Sequence, residues 1–150
     1  NSSPSMTIPP ERWLLDTNVW VFGLRGDDAF PACAQLLDRV GSFSVVIPLQ
    51  VLKELNLALT EDEMRNFYSV INQCSEFIEL SWQPAAIELV KFYEERGCRK
   101  GDAVIAAHAE ALGIGIIVSE NRQFLQTLRD LPVEIVTAVD AQIRLASLLS

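Results

Sequence analysis

Five short apolar runs punctuate the chain: Trp13–Leu15, Phe43–Ile47, Phe77–Leu80, Ile116–Ser119 and Val133–Val136. They are rich in Val, Ile, Phe and Leu, and none alternates cleanly between apolar and polar residues. Successive side chains of a strand point to opposite faces, so a strand with one wet face must alternate. Runs that do not alternate fit strands buried on both faces, as in a parallel sheet covered by helices. That requirement excludes most all-β and all-α arrangements of this chain.

The segments between the runs carry helix signals. Pro48 opens a segment reaching Leu59, with Val51, Leu52, Leu55 and Ala58 at helical spacing. Thr60 and Glu63 form a capping box for a helix running to about Gln73. Pro84 stands at a first-turn position, and Gly97 ends that helix after Arg96. Asp102 to Leu112 is alanine-rich and closes at Gly113, and Thr137 with Asp140 resembles a second capping box before a C-terminal helix. Strand and helix alternate throughout, which predicts an open α/β sandwich on a mostly parallel sheet.

With 150 residues, 49% of them apolar and 21% charged, the chain has material for one packed domain. Residues 1–10 are expected to be a flexible N-terminal segment, with Met6 as the natural start, and residues 11–150 a single domain. No apolar run approaches the roughly 18 residues of a membrane span. Asn1 to Ser5 lack the basic and apolar regions of a signal peptide. Cys33, Cys74 and Cys98 form no C-x-x-C pair and leave an odd count, which fits reduced thiols in a cytoplasmic protein.

Function is concentrated in the acids. In open parallel sheets, ligands bind beyond the carboxyl ends of the strands. Asp16 directly follows the first run, Glu54 lies early in the helix after the second, and Glu120 follows the fourth. Asp102 starts a helix whose N-terminus can face the same edge. Each has an ordinary reading alone: Asp16 and Asp102 as helix caps, Glu54 as a solvated helix residue, Glu120 as a loop acid. Together they raise a physical problem. Buried carboxylates are costly and repel one another unless a cation binds between them. An oxygen-only cluster suits a hard ion such as Mg²⁺ or Mn²⁺, whereas zinc asks for nitrogen or sulfur ligands. The single histidine, His108, follows Asp102 by six residues, falls on another helical face and is read as a packing residue.

Four blocks, "LLDTNVWV", "VIPLQVLKEL", "GDAVIAAHAEALG" and "IIVSENRQFL", together resemble the PIN-domain family, and most closely its bacterial VapC toxin type. The resemblance runs from about Arg12 to Val136. It implies a three-layer α/β/α sandwich with a five-stranded parallel sheet and a metal-dependent ribonuclease using one or two ions. It also implies an RNA substrate, a cognate antitoxin as partner and a homodimer. By position, Asp16, Glu54 and Asp102 match the first three acids, Asn18 the polar support of the first, and Ser119 the small hydroxyl residue after strand four. The last block reads "SENRQF" and carries no aspartate, so Glu120 is expected as the fourth acid, with Asn121 as the other candidate to hold a second ion.

The net charge of −8, from 12 Lys+Arg against 20 Asp+Glu, argues against a whole surface that grips nucleic acid. It allows a local rim, for which Arg25, Arg99, Lys100 and Arg122 are the candidates; solvated helix-end charges are their ordinary reading. Two other function classes compete. One is an inactive module of the same fold that only binds protein. The other is a doubly wound phosphatase with Asp16 as nucleophile, which expects a D-x-D pattern that "DTN" lacks.

Overall fold

The computed structural model describes residues 11–127 and 133–149. The expected flexible segment over residues 1–10 lies outside the described residues. Five strands form one sheet: β1 (Arg12–Leu15), β2 (Ser44–Pro48), β3 (Ile78–Ser81), β4 (Ile116–Val118) and β5 (Glu134–Val136). Eight helices are present among the described residues: α1 (Thr17–Arg25), α2 (Pro31–Asp38), α3 (Leu49–Ala58), α4 (Glu61–Gln73), α5 (Ile87–Glu95), α6 (Lys100–Ala111), α7 (Arg122–Thr127) and α8 (Ala138–Leu149).

The sheet order is β3-β2-β1-β4-β5, and every pairing is parallel. The result is the three-layer α/β/α sandwich, with a sheet that is wholly rather than mostly parallel. The missing alternation has its expected cause. Trp13, Leu14 and Leu15 of β1 and Ile116, Ile117 and Val118 of β4 are each 1% exposed or less. These two central strands pair Leu14 with Ile117 and Leu15 with Val118. On the helical layers, α2 packs against α1 and α8, while α6 packs against α5 and α3.

From β1 the chain steps outward to β2 and β3, then crosses to β4 on the other side of β1. The order therefore reverses between β1 and β4, which opens a crevice beyond their carboxyl ends. Asp16 and Ser119 are the first residues past those two ends.

Local signals behave mostly as expected. Thr60 Oγ1 accepts from Glu63 N at 3.2 Å and Glu63 Oε1 from Thr60 N at 2.9 Å, completing the capping box. Pro48 closes β2 and caps α3 rather than joining it. Its fixed φ suits the last extended residue as well as the first helical one. Pro84 does not open α5, which begins at Ile87. Ala86 is still extended (φ −66, ψ 131), and Pro84 and Ala85 instead line a groove with Gln50 and Lys53 of α3. Proline's fixed φ suits extended backbone as well as a first helical turn, so Pro84 fits the segment before the helix.

Candidate functional site

Asp16 is 3% exposed at the mouth of the crevice. Its backbone N–H extends the β1–β4 ladder to Val118 O (2.8 Å), and its carbonyl accepts the first bond of α1 from Val19 N (3.0 Å). Strand end and helix start thus meet in one residue, which is why it also acts as the α1 cap. Its Oδ1 accepts from Thr17 N at 2.8 Å. Its Oδ2 accepts from Ser119 Oγ at 2.7 Å, with a longer contact to Asn18 Nδ2 at 3.5 Å.

Burial pushes the Asp16 carboxyl up to about 7. The bonds from Ser119 and Thr17 oppose that rise, and the negative fields of Asp102 and Glu54 add to it. Asp102, the third residue of α6, is raised as well, first by burial and then by Glu54, while Arg99 pulls it down. The three acids therefore act electrostatically on one another, although 38 residues separate the first two in sequence and 48 the last two.

They line one open cavity of about 360 Å³, together with Thr17, Asn18, Val21, Phe22 and Asn121. Glu54 reaches it from the second turn of α3. Its Oε1 accepts from Thr17 Oγ1 at 2.5 Å and its Oε2 from Gln50 Nε2 at 2.8 Å. Asp102 Oδ2 accepts a long bond from Asn121 Nδ2 at 3.4 Å. Among the described residues, no group of three or more His, Cys, Asp or Glu side chains is arranged as it stands to hold an ion. The donor chemistry does fit a hard divalent cation: the acid side chains are all oxygen, and each carboxylate raises the cost of charging another.

The "SENRQF" block divides its work. Ser119 donates to Asp16 and accepts from Asn121 N at 3.1 Å. Asn121 caps α7 through Oδ1, which accepts from Gln123 N (3.0 Å) and Phe124 N (3.4 Å), while its Nδ2 faces Asp102. Glu120, expected as the fourth acid, is not brought into the cavity. Its backbone N–H donates to Asn18 Oδ1 at 3.1 Å, and its carboxylate accepts from Ala138 N at 2.7 Å. The first N–H groups of a helix have no partner within the helix and attract negative charge. The start of α8 holds the Glu120 side chain for that reason.

Among the expected basic residues, Arg99, Lys100 and Arg122 are exposed. Arg99 caps α6 close enough to act on Asp102. Arg25 is engaged elsewhere: its guanidinium donates to Glu63 at 2.8 and 3.2 Å and to Ala58 O at 3.1 Å, tying α1 to α4. His108 is buried on α6. Trp20 is fully buried edge-on to Phe67 (5.1 Å), and Phe22 stacks on Phe30 (4.2 Å). Thr17 and Gln50 were not singled out from sequence. The signal for Gln50 was its position one helical turn before Glu54, where side chains share a face. The signal for Thr17 was its place beside the first acid.

Comparison with known proteins agrees with this fold. The family model described as the PIN domain matches residues 13–129. No curated protein matches the chain in sequence. The crystal structure of PAE2754 from Pyrobaculum aerophilum is similar at a TM-score of 0.59 and 15% identity, over 91% of this chain and 96% of that one. That of FitAcB from Neisseria gonorrhoeae gives 0.60 and 16%, over 85% and 98%. That of VapBC2 from Rickettsia felis, bound to a DNA fragment from their promoter, gives 0.56 and 19%, over 84% and 98%.

Proposed function

Since the chain belongs to the PIN-domain family, we propose that it is a Mg²⁺- or Mn²⁺-dependent endoribonuclease that hydrolyses RNA phosphodiesters. The observation that carries this reading is the meeting of Asp16, Glu54 and Asp102 in one cavity, with the Asp16 carboxyl pushed to about 7. Those three residues would hold the first ion, and Asn121 beside Asp102 is the candidate to reach a second, directly or through water. A divalent ion bound there supplies Lewis acidity to the phosphodiester and lowers the pKa of the attacking water.

The chain's own groups do the positioning. Ser119 and the Thr17 N–H fix the plane of the Asp16 carboxylate. Asn18 ties that corner to the strand β4 loop through Glu120 N. Arg99, Lys100 and Arg122 are exposed and would take flanking phosphates, contacts that set register rather than sequence preference. The resemblance to PIN-domain ribonucleases implies that the water oxygen adds to phosphorus and the 3′ oxygen leaves, giving 5′-phosphate and 3′-hydroxyl ends. Resemblance of the four sequence blocks to VapC toxins further supports a cytoplasmic homodimer whose activity an antitoxin protein restrains.

The second reading is an inactive protein-binding module. One observation favours it: Glu120, expected as the fourth acid, turns to Ala138 N at the start of α8. Mn²⁺ titration calorimetry separates the two. The ribonuclease reading expects one or two ions bound by the wild-type protein and binding abolished or strongly weakened in Asp16→Asn. Absence of Mn²⁺ binding by the wild type leaves the module as the better account.

A further inference from the structure

Glu54, like Asp16, is held at both carboxylate oxygens. Each of its carboxylate oxygens has its own side-chain donor, Thr17 Oγ1 on Oε1 and Gln50 Nε2 on Oε2. The Gln50 amide has only one favourable orientation here, since its carbonyl would repel the carboxylate. A third wall is Gly101, where an added Cβ would lie 3.0 Å from Glu54 Oε2 and 3.7 Å from Gln50 Nε2. Glycine at the second position of α6 therefore lets α6 approach α3 closely enough to seat the carboxylate between them. Thr17 also gives its backbone N–H to Asp16 Oδ1, so one residue touches two acids and sets their separation.

We infer that Thr17 and Gln50 are positioning residues that hold the Glu54 carboxylate toward Asp16 and Asp102, and that Gly101 provides the space for it. A carboxylate offers about four lone-pair sites, so two donors leave one site free on each oxygen for an ion. Donors behind a metal-binding carboxylate orient it, and their loss typically lowers metal affinity about 10–100-fold. The metal part of the inference rests on the proposed ribonuclease reading. The placement of Glu54 does not.

The test uses Thr17→Val, which keeps the shape and removes the hydroxyl, Thr17→Ser, which restores it, and Gln50→Leu. Each protein is checked for thermal stability, titrated with Mn²⁺ by calorimetry and crystallised. We expect Thr17→Val and Gln50→Leu to melt close to the wild type, to bind Mn²⁺ about 10–100-fold more weakly and to show a displaced Glu54 carboxylate. Thr17→Ser should keep both the affinity and the placement. Wild-type Mn²⁺ affinity in both Thr17→Val and Gln50→Leu would overturn the inference. So would an unmoved Glu54 carboxylate in the two crystals, whether or not any ion binds. Failure of the wild type itself to bind Mn²⁺ counts against the metal reading, and the crystals then decide the positioning claim alone.

Discussion

Asp16 carries the electrostatic tension of the molecule. It is nearly fully buried, accepts hydrogen bonds from Thr17 and Ser119, and still has its carboxyl raised from 3.8 to about 7. A carboxyl whose folded pKa is raised costs nothing below its unfolded value, because both states are protonated there. The cost grows as pH climbs from about 4 to about 7 and is constant above. Asp16→Asn keeps a good cap and removes the charge, so the metal-free variant should be more stable than the wild type by about 1–3 kcal/mol at pH 8. The advantage should vanish toward pH 4; denaturant unfolding in EDTA across that range measures it. The three clustered acids were legible in the sequence because each lies just past a strand end or in the first two turns of a helix, and the fold rule then brings those places together. Thr17 and Gln50 were not, since a first-turn threonine and a helix-surface glutamine have ordinary explanations. The direction of Glu120 was hidden for a different reason: it depends on the N-terminus of α8, eighteen residues downstream.

Among the elements, helix ends do most of the placing. The capping box of α4 was readable from Thr60 and Glu63 because its partners are three residues apart. Thr60→Ala should lower stability by about 1 kcal/mol in chemical denaturation, with no change in Mn²⁺ affinity. Glu120 makes a sharper case. As the partner of Ala138 N it supports α8, so Glu120→Ala should cost about 1 kcal/mol of stability and leave Mn²⁺ affinity within about threefold. A loss of Mn²⁺ affinity matching that of Asp102→Asn would show instead that the carboxylate turns into the cavity. Element starts were less legible where one residue suits two backbone conformations. Pro84 is a good first-turn residue, yet the chain stays extended to Ala86 while Pro84 and Ala85 line the α3 groove.

At the scale of the whole molecule, the absence of strand alternation carried most of the architecture. A sheet buried on both faces and joined by helices has few right-handed, unknotted solutions, and the order β3-β2-β1-β4-β5 is one of them. That order puts the crevice between β1 and β4, which is where the acids meet. Under the proposed function, the overall charge of −8 leaves RNA phosphates a small basic rim to bind. With Arg99, Lys100 and Arg122 as the contacts, single-stranded RNA affinity should fall ~20-fold between 50 and 200 mM salt, a shallow dependence that a filter-binding series can measure. The proposed function is hydrolysis of RNA in the three-acid cavity with a divalent ion. It is tested most directly by incubating end-labelled single-stranded RNA with wild-type and Asp102→Asn protein, each with Mn²⁺ or EDTA, and resolving the products on a denaturing gel. Fragments ending in 3′-hydroxyl are expected from the wild type with Mn²⁺ and from no other lane. Intact RNA in the wild-type Mn²⁺ lane, or equal cleavage by Asp102→Asn, would contradict the proposed function.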